Sequence, residues 1–147
     1  MLNEVAMGLV LVCVTTIVQA AFMIGGVRFV DWRVTERGRT SSHLPKAVLV
    51  SAFTAWMFVG VVAEALIWAL LYLRHPEITR FADLDTAFYF SMVTFTSVGY
   101  GDVVPSGDWR ILASLQRANG VIVFGWATAL IFYVIHEVYR RREGVGG

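Results

Sequence analysis

The sequence predicts an all-α membrane protein with three transmembrane helices and one re-entrant half-helix and loop between the second and third. Three observations lead there. Of the 147 residues, 57% are hydrophobic and only 16% charged, well below the roughly 25% charged residues of an ordinary soluble domain. The apolar residues fall in long uninterrupted blocks, and the charges lie almost entirely between them. One short polar segment, TFTSVGYGD at residues 94–102, breaks the pattern between two such blocks. Lipid is the expected solvent for such a chain, and a net charge of +1 offers nucleic acid no electrostatic footing.

A helix needs about 20 mostly apolar residues to cross a hydrocarbon core of about 30 Å. Val5–Val27, Ala47–Leu73 and Ile111–Val138 qualify. The first block is preceded by MLNE rather than by positive charge, and its length exceeds the apolar core of a signal peptide, so it reads as a span. Cys13, inside it, has no partner for a disulfide and reads as a small apolar residue. Residues 1–28 then form an N-terminal span, 29–46 a basic loop, 47–139 a unit of span, half-helix, loop and span, and 140–147 a short tail.

Orientation follows from Lys and Arg placement. Arg28, Arg33, Arg37, Arg39 and Lys46 mark the first connection, and Arg140, Arg141 and Arg142 the tail. Both belong to the cytoplasmic side. The stretch from Arg74 to Arg110 carries Glu77, Asp83, Asp85, Asp102 and Asp108 and belongs outside with the N-terminus.

The fourth apolar stretch, Leu84–Val98, is too short to cross and runs into glycines. It must enter the membrane and return. Non-helical backbone at that depth survives only where protein buries it or where it lines a water-filled cavity. Asp83 and Asp85 suit the start of the half-helix, because their carboxylates accept from free N–H groups and favour its positive end. The negative end falls near Thr96, pointing into the membrane.

Gly99 and Gly101 alternate with Val98 and Tyr100, and glycine adopts positive φ without a steric penalty. A backbone that changes hand at successive residues can turn consecutive carbonyls to one side. Such oxygens are hard ligands for alkali and alkaline-earth cations, and a dehydrated cation needs several at once. One strand offers too few, so several chains must surround a common axis.

TFTSVGYGD resembles the selectivity filter of the potassium channel family, and the order of parts over about two-thirds of the chain is similar to that family's pore domain. The resemblance implies a potassium-selective, passive channel of about four identical chains, with a pore helix at about Asp85–Thr96. It implies K⁺ sites at the carbonyls of Val98, Gly99 and Tyr100 with Ser97 below, and an outer mouth completed by Gly101. Thr96 and Asp102 would support the filter, and Tyr100 would brace it from behind. Ser97 stands where the family usually has Thr, which keeps the hydroxyl and loses a methyl group. Of the two positions that usually tether the acid after the filter, Val93 cannot hydrogen-bond and Tyr89 can, leaving Asp102 as either tethered to Tyr89 or an exposed charge at the mouth.

Glu64 and Arg117 lie inside apolar segments, where an ionisable residue marks a site. At 1.5 Å per residue they sit roughly 14 Å below Leu73 and roughly 9 Å below Ile111, compatible with an ion pair within or between chains. Gly120 and Gly125 in the last span permit either a hinge or close packing. Trp126 could narrow the inner pore, and His136 with Glu137 could sense pH. A non-conducting regulatory subunit and a weakly selective cation channel are the alternatives. Nothing suggests an enzyme or a cofactor; the expected partners are further copies of the chain, membrane lipid and K⁺.

Overall fold

The computed structural model describes residues 2–37, 46–75, 78, 81–107 and 109–140. Among the described residues four helices carry the fold: α1 (Leu2–Arg37), α2 (Lys46–Arg74), α3 (Leu84–Phe95) and α4 (Trp109–Arg140). Three segments, Leu2–Arg33, Lys46–Arg74 and Trp109–Tyr139, are long and apolar enough to cross a membrane. The chain is thus an all-α, multi-pass membrane protein. The expectations placed on Arg39, Glu77, Asp108 and the tail from Arg141 lie outside the described residues.

α1 continues from Arg28 to Arg37, through part of the segment read as a loop. Local contacts support the extension. The Arg33 guanidinium lies over the rings of Phe29 and Trp32, 5.4 and 5.0 Å from their centroids, and the Thr35 hydroxyl donates to the Asp31 carbonyl at 2.9 Å. The charges there sit on a helix end instead of interrupting a helix.

In lipid, apolar burial does not drive helices together; packing, small residues and hydrogen bonds do. α1 and α4 run parallel, joined where Asn119 Nδ2 donates to Thr15 Oγ1 at 2.7 Å. α2 runs antiparallel to both and meets α1 through Trp56, whose Nε1 donates to the Phe22 carbonyl at 2.9 Å. Close approach is possible because Gly60 faces Phe22: a Cβ there would lie 3.0 Å from that ring.

α3 enters from the end of the bundle where α2 finishes. Tyr72 on α2 packs on Phe81 and Phe90 with ring centroids 5.3 and 5.1 Å apart, and Phe81 packs on Phe90 at 5.1 Å. The cluster includes Trp68, Ala69, Phe95 and Leu112, all fully buried. It wedges the half-helix against two spans.

A buried hydrogen-bond chain crosses the same region. Tyr72 Oη donates to Gln116 Oε1 at 3.0 Å, Gln116 Nε2 donates to Ser91 Oγ at 2.6 Å, and Ser91 Oγ donates to the Ala65 carbonyl at 2.6 Å. Three helices are pinned by one glutamine. Gln116→Leu keeps the size but leaves the buried Tyr72 hydroxyl without an acceptor, and an orphaned buried group costs about 1–3 kcal/mol. A fall in unfolding free energy of that size is expected in detergent denaturation, and an unchanged midpoint would mean that the glutamine does not hold the three helices.

Candidate functional site

The half-helix is set at both ends. Asp83 stands at its N-cap with φ −146°, and its Oδ1 accepts from the Thr86 N–H at 2.7 Å, satisfying a donor that the first turn leaves free. That bond holds the Asp83 carboxyl below its usual range. At the other end the Thr96 N–H donates to the Met92 carbonyl at 3.0 Å, and its hydroxyl donates to the same oxygen at 2.8 Å. The carbonyl end of α3 therefore finishes at Thr96.

Its depth follows from Gly120, which lies against Phe95, the last residue of α3. A Cβ at Gly120 would fall on the Phe95 carbonyl oxygen, with the carbonyl carbon at 2.8 Å. Gly120 is eleven residues beyond Trp109, where α4 begins, or about 16 Å at 1.5 Å per residue. That distance is about half the thickness of a 30 Å hydrocarbon core. Gly120 thus has a packing role, whereas a Cβ at Gly125 would meet nothing within 4 Å.

Beyond Thr96 the chain leaves the helix. The Ser97 N–H donates to the Thr94 carbonyl at 3.0 Å and the Gly99 N–H to the Val93 carbonyl at 3.2 Å, so the strand is tied back to the helix that delivers it. Positive φ occurs at Ser97 (62°), Gly99 (58°) and Gly101 (80°), and neither Val98 nor Tyr100 shares it. The backbone changes hand at every residue from 97 to 101. Glycine was the visible signal for two of these positions; Ser97 is the third, which side-chain reasoning alone missed. A β-branched Thr would be more strained at this φ than Ser.

Val98 and Tyr100 are 54% and 72% exposed within one chain. Tyr100 makes no packed contact behind its own strand that would bury it. Asp102 is held: the Tyr89 hydroxyl donates to Asp102 Oδ2 at 2.9 Å. This bond is the main cause that keeps the Asp102 carboxyl below its ordinary range. The bond favours the ionised form, so its contribution is present above the ordinary carboxylate pKa and is lost as pH falls through the depressed one. Tyr89→Phe should raise the Asp102 pKa, moving any acid-side loss that depends on Asp102 to higher pH. Carboxyl carbon chemical shifts of Asp102 followed against pH check this; an unshifted midpoint would mean that the bond does not govern the group.

The expected partnership of Glu64 with Arg117 does not form within the chain. Both Glu64 carboxylate oxygens are buried without a hydrogen-bond partner among the described residues. Arg117 is exposed, and its guanidinium lies beside Gly99. The reason is rotation about α4: Gln116, Asn119 and Gly120 are buried against the other helices, and Arg117, about 100° on from Gln116, is turned off that face. Trp126 and His136 are also exposed in the single chain, as is Cys13.

The sequence model of a family described as Ion channel matches residues 51–137. A calcium-gated potassium channel of Thermoplasma volcanium is 33% identical over 97 residues, covering 65% of this chain and 27% of that protein. A voltage-gated potassium channel of Escherichia coli K12 is 39% identical over 82 residues, covering 55% and 18%. A voltage-gated potassium channel regulatory subunit of Homo sapiens is 29% identical over 82 residues, covering 53% and 16%. The chain therefore matches less than a third of the length of each of these relatives. No solved structure matches it.

Proposed function

Since the chain belongs to the ion channel family, we propose that it is a potassium-selective channel subunit, four copies of which enclose a passive K⁺ pathway. One observation carries the reading: the alternation of φ at Ser97, Gly99 and Gly101, delivered to mid-membrane depth by a capped half-helix between two spans. In that backbone the carbonyls of Val98, Gly99 and Tyr100, with Ser97 below, replace the water around a K⁺ ion, and Gly101 opens the outer mouth. Thr96 anchors the inner end of the strand, and the Tyr89 bond to Asp102 steadies the outer end.

The exposure of Val98 and Tyr100 in the isolated chain supports an assembly in which neighbouring copies cover them. The α3 carbonyl end at Thr96 adds about half a negative charge per chain, directed at the inner entrance of the filter. K⁺ is cargo moving down its gradient; no bond chemistry and no cofactor are involved. The N-terminus faces outward and the C-terminus the cytoplasm, with residues 47–139 forming the pore and α1 packed outside it.

The relatives also favour a second reading, since one is a regulatory subunit: a chain that keeps the filter but does not conduct alone. Full-length protein in liposomes separates the readings. K⁺ flux well above Na⁺ flux is expected, comparable fluxes would indicate a weakly selective cation channel, and no flux from intact oligomers would favour the regulatory subunit.

A further inference from the structure

Gly99 is watched over by a single side chain. Apart from its neighbours in the chain, the heavy atoms within 4 Å of the position where its Cβ would sit are Nη2 of Arg117, at 2.9 Å, and Cζ of the same guanidinium, at 3.6 Å. A guanidinium is a cation that carries five N–H donors. Here it makes no hydrogen bond or ion pair with any described residue. The carboxylate that could have neutralised it from within the membrane, Glu64, lies elsewhere with both oxygens unpartnered. Asp102 is engaged by Tyr89.

A full positive charge thus lies against the strand that is proposed to carry cations. We infer that Arg117 is a specificity-determining residue that sets the valence of the ions the filter admits, rejecting divalent cations in favour of K⁺. This rests on the potassium-channel reading. The argument is Coulombic: repulsion from a fixed charge scales with the charge of the ion, so a divalent cation is opposed twice as strongly as K⁺. Carbonyl ladders alone do not discriminate this way, because a dehydrated divalent cation of similar radius gains more from the same oxygens. The guanidinium lies one side-chain contact beyond a strand, so its separation from an ion is on the order of 10 Å. With an effective dielectric of about 20, one arginine lowers the occupancy of a monovalent ion by about fifteenfold and that of a divalent ion by more than about two-hundredfold. The net preference for monovalent ions is then somewhat above tenfold, and further copies around the axis increase it.

The probe is Ba²⁺, which has nearly the radius of K⁺ and twice its charge. Block of K⁺ flux by Ba²⁺ is measured in liposomes holding the full-length protein as wild type, Arg117→Met, Arg117→Gln and Arg117→Lys, each confirmed as the same oligomer by size exclusion. Arg117→Gln supplies a second neutral side chain, with hydrogen-bond donors, should the methionine variant fail to assemble. The expected result is Ba²⁺ block at least tenfold tighter in the neutral variants and unchanged within about threefold in the lysine variant. Equal block in all four proteins would overturn the inference, as would tightening in the lysine variant equal to that of the neutral ones, which would mark a steric role instead. Absence of K⁺ flux in the wild type would instead overturn the channel reading itself.

Discussion

Gly99→Ala is expected to abolish K⁺ flux while leaving the oligomer intact. Two effects act on the new methyl group, and their magnitudes decide which dominates. Its nearest neighbour would be Arg117 Nη2 at 2.9 Å, the far end of a flexible side chain that can shift by a few tenths of an ångström at little cost. The backbone has no such freedom. At φ 58° an L-residue is disfavoured by about 1–2 kcal/mol, so in the proposed assembly of four chains about 4–8 kcal/mol would accumulate against the conducting geometry. At about 1.4 kcal/mol per factor of ten, flux should fall by about a thousandfold or more. The strand is exposed and outside the aromatic cluster that holds α3, which is why assembly should survive. Liposome flux alongside size exclusion reads both quantities, and a variant conducting within about threefold of the wild type would contradict the proposed role of this backbone.

The second large effect belongs to Gly120. Gly120→Ala places a methyl group onto the Phe95 carbonyl, and the obstacle is backbone, which cannot step aside without moving α3 from α4. Overpacking of this kind usually costs about 1–3 kcal/mol; with main chain on one side of the clash, a loss of about 3 kcal/mol or more is expected, together with poor recovery of oligomer. Gly125→Ala is the control on the same helix. Nothing lies within 4 Å of its Cβ position, and alanine is the better helix former by up to about 1 kcal/mol, so denaturation should show no loss. Equal destabilisation at both positions would remove the packing argument. A change in channel opening at Gly125 without any change in stability would instead mark that glycine as the place where α4 bends.

The sequence made legible whatever depends on composition along the chain. Three apolar blocks are long enough to span, a fourth is too short, and alternating glycines announce a backbone that changes hand. Family membership followed from the same stretch. Less could be read wherever the answer depends on how a helix is rotated. Gln116 and Arg117 are neighbours in sequence, and both look like polar residues misplaced in a span. One is the buried hub joining Tyr72 and Ser91, and the other is turned out beside Gly99. Only the register of α4 on α2 and α3 separates them. The ion pair of Glu64 with Arg117 was argued from depth alone, and depth says nothing about azimuth. Thr15 and Asn119 share a hydrogen bond across 104 positions, a pairing that no local pattern announces. Ser97 illustrates a different gap, since its positive φ is imposed by the strand and not advertised by its residue type.

The bond between Thr15 and Asn119 also bears on the time order of biogenesis. α1 leaves the ribosome long before α4 exists, so it must rest in the bilayer while its eventual partner is still unmade. The Thr15 hydroxyl is suited to that interval: it donates to the Leu11 carbonyl of its own helix at 2.9 Å. Its proton never faces lipid unpaired, whether α4 is present or absent. What remains for Asn119 is a lone pair, a weaker demand than a free donor, and one that can wait. The first span is therefore equipped to be inserted early as an independent helix and to be recruited late, with its docking point held in reserve by a hydrogen bond to itself.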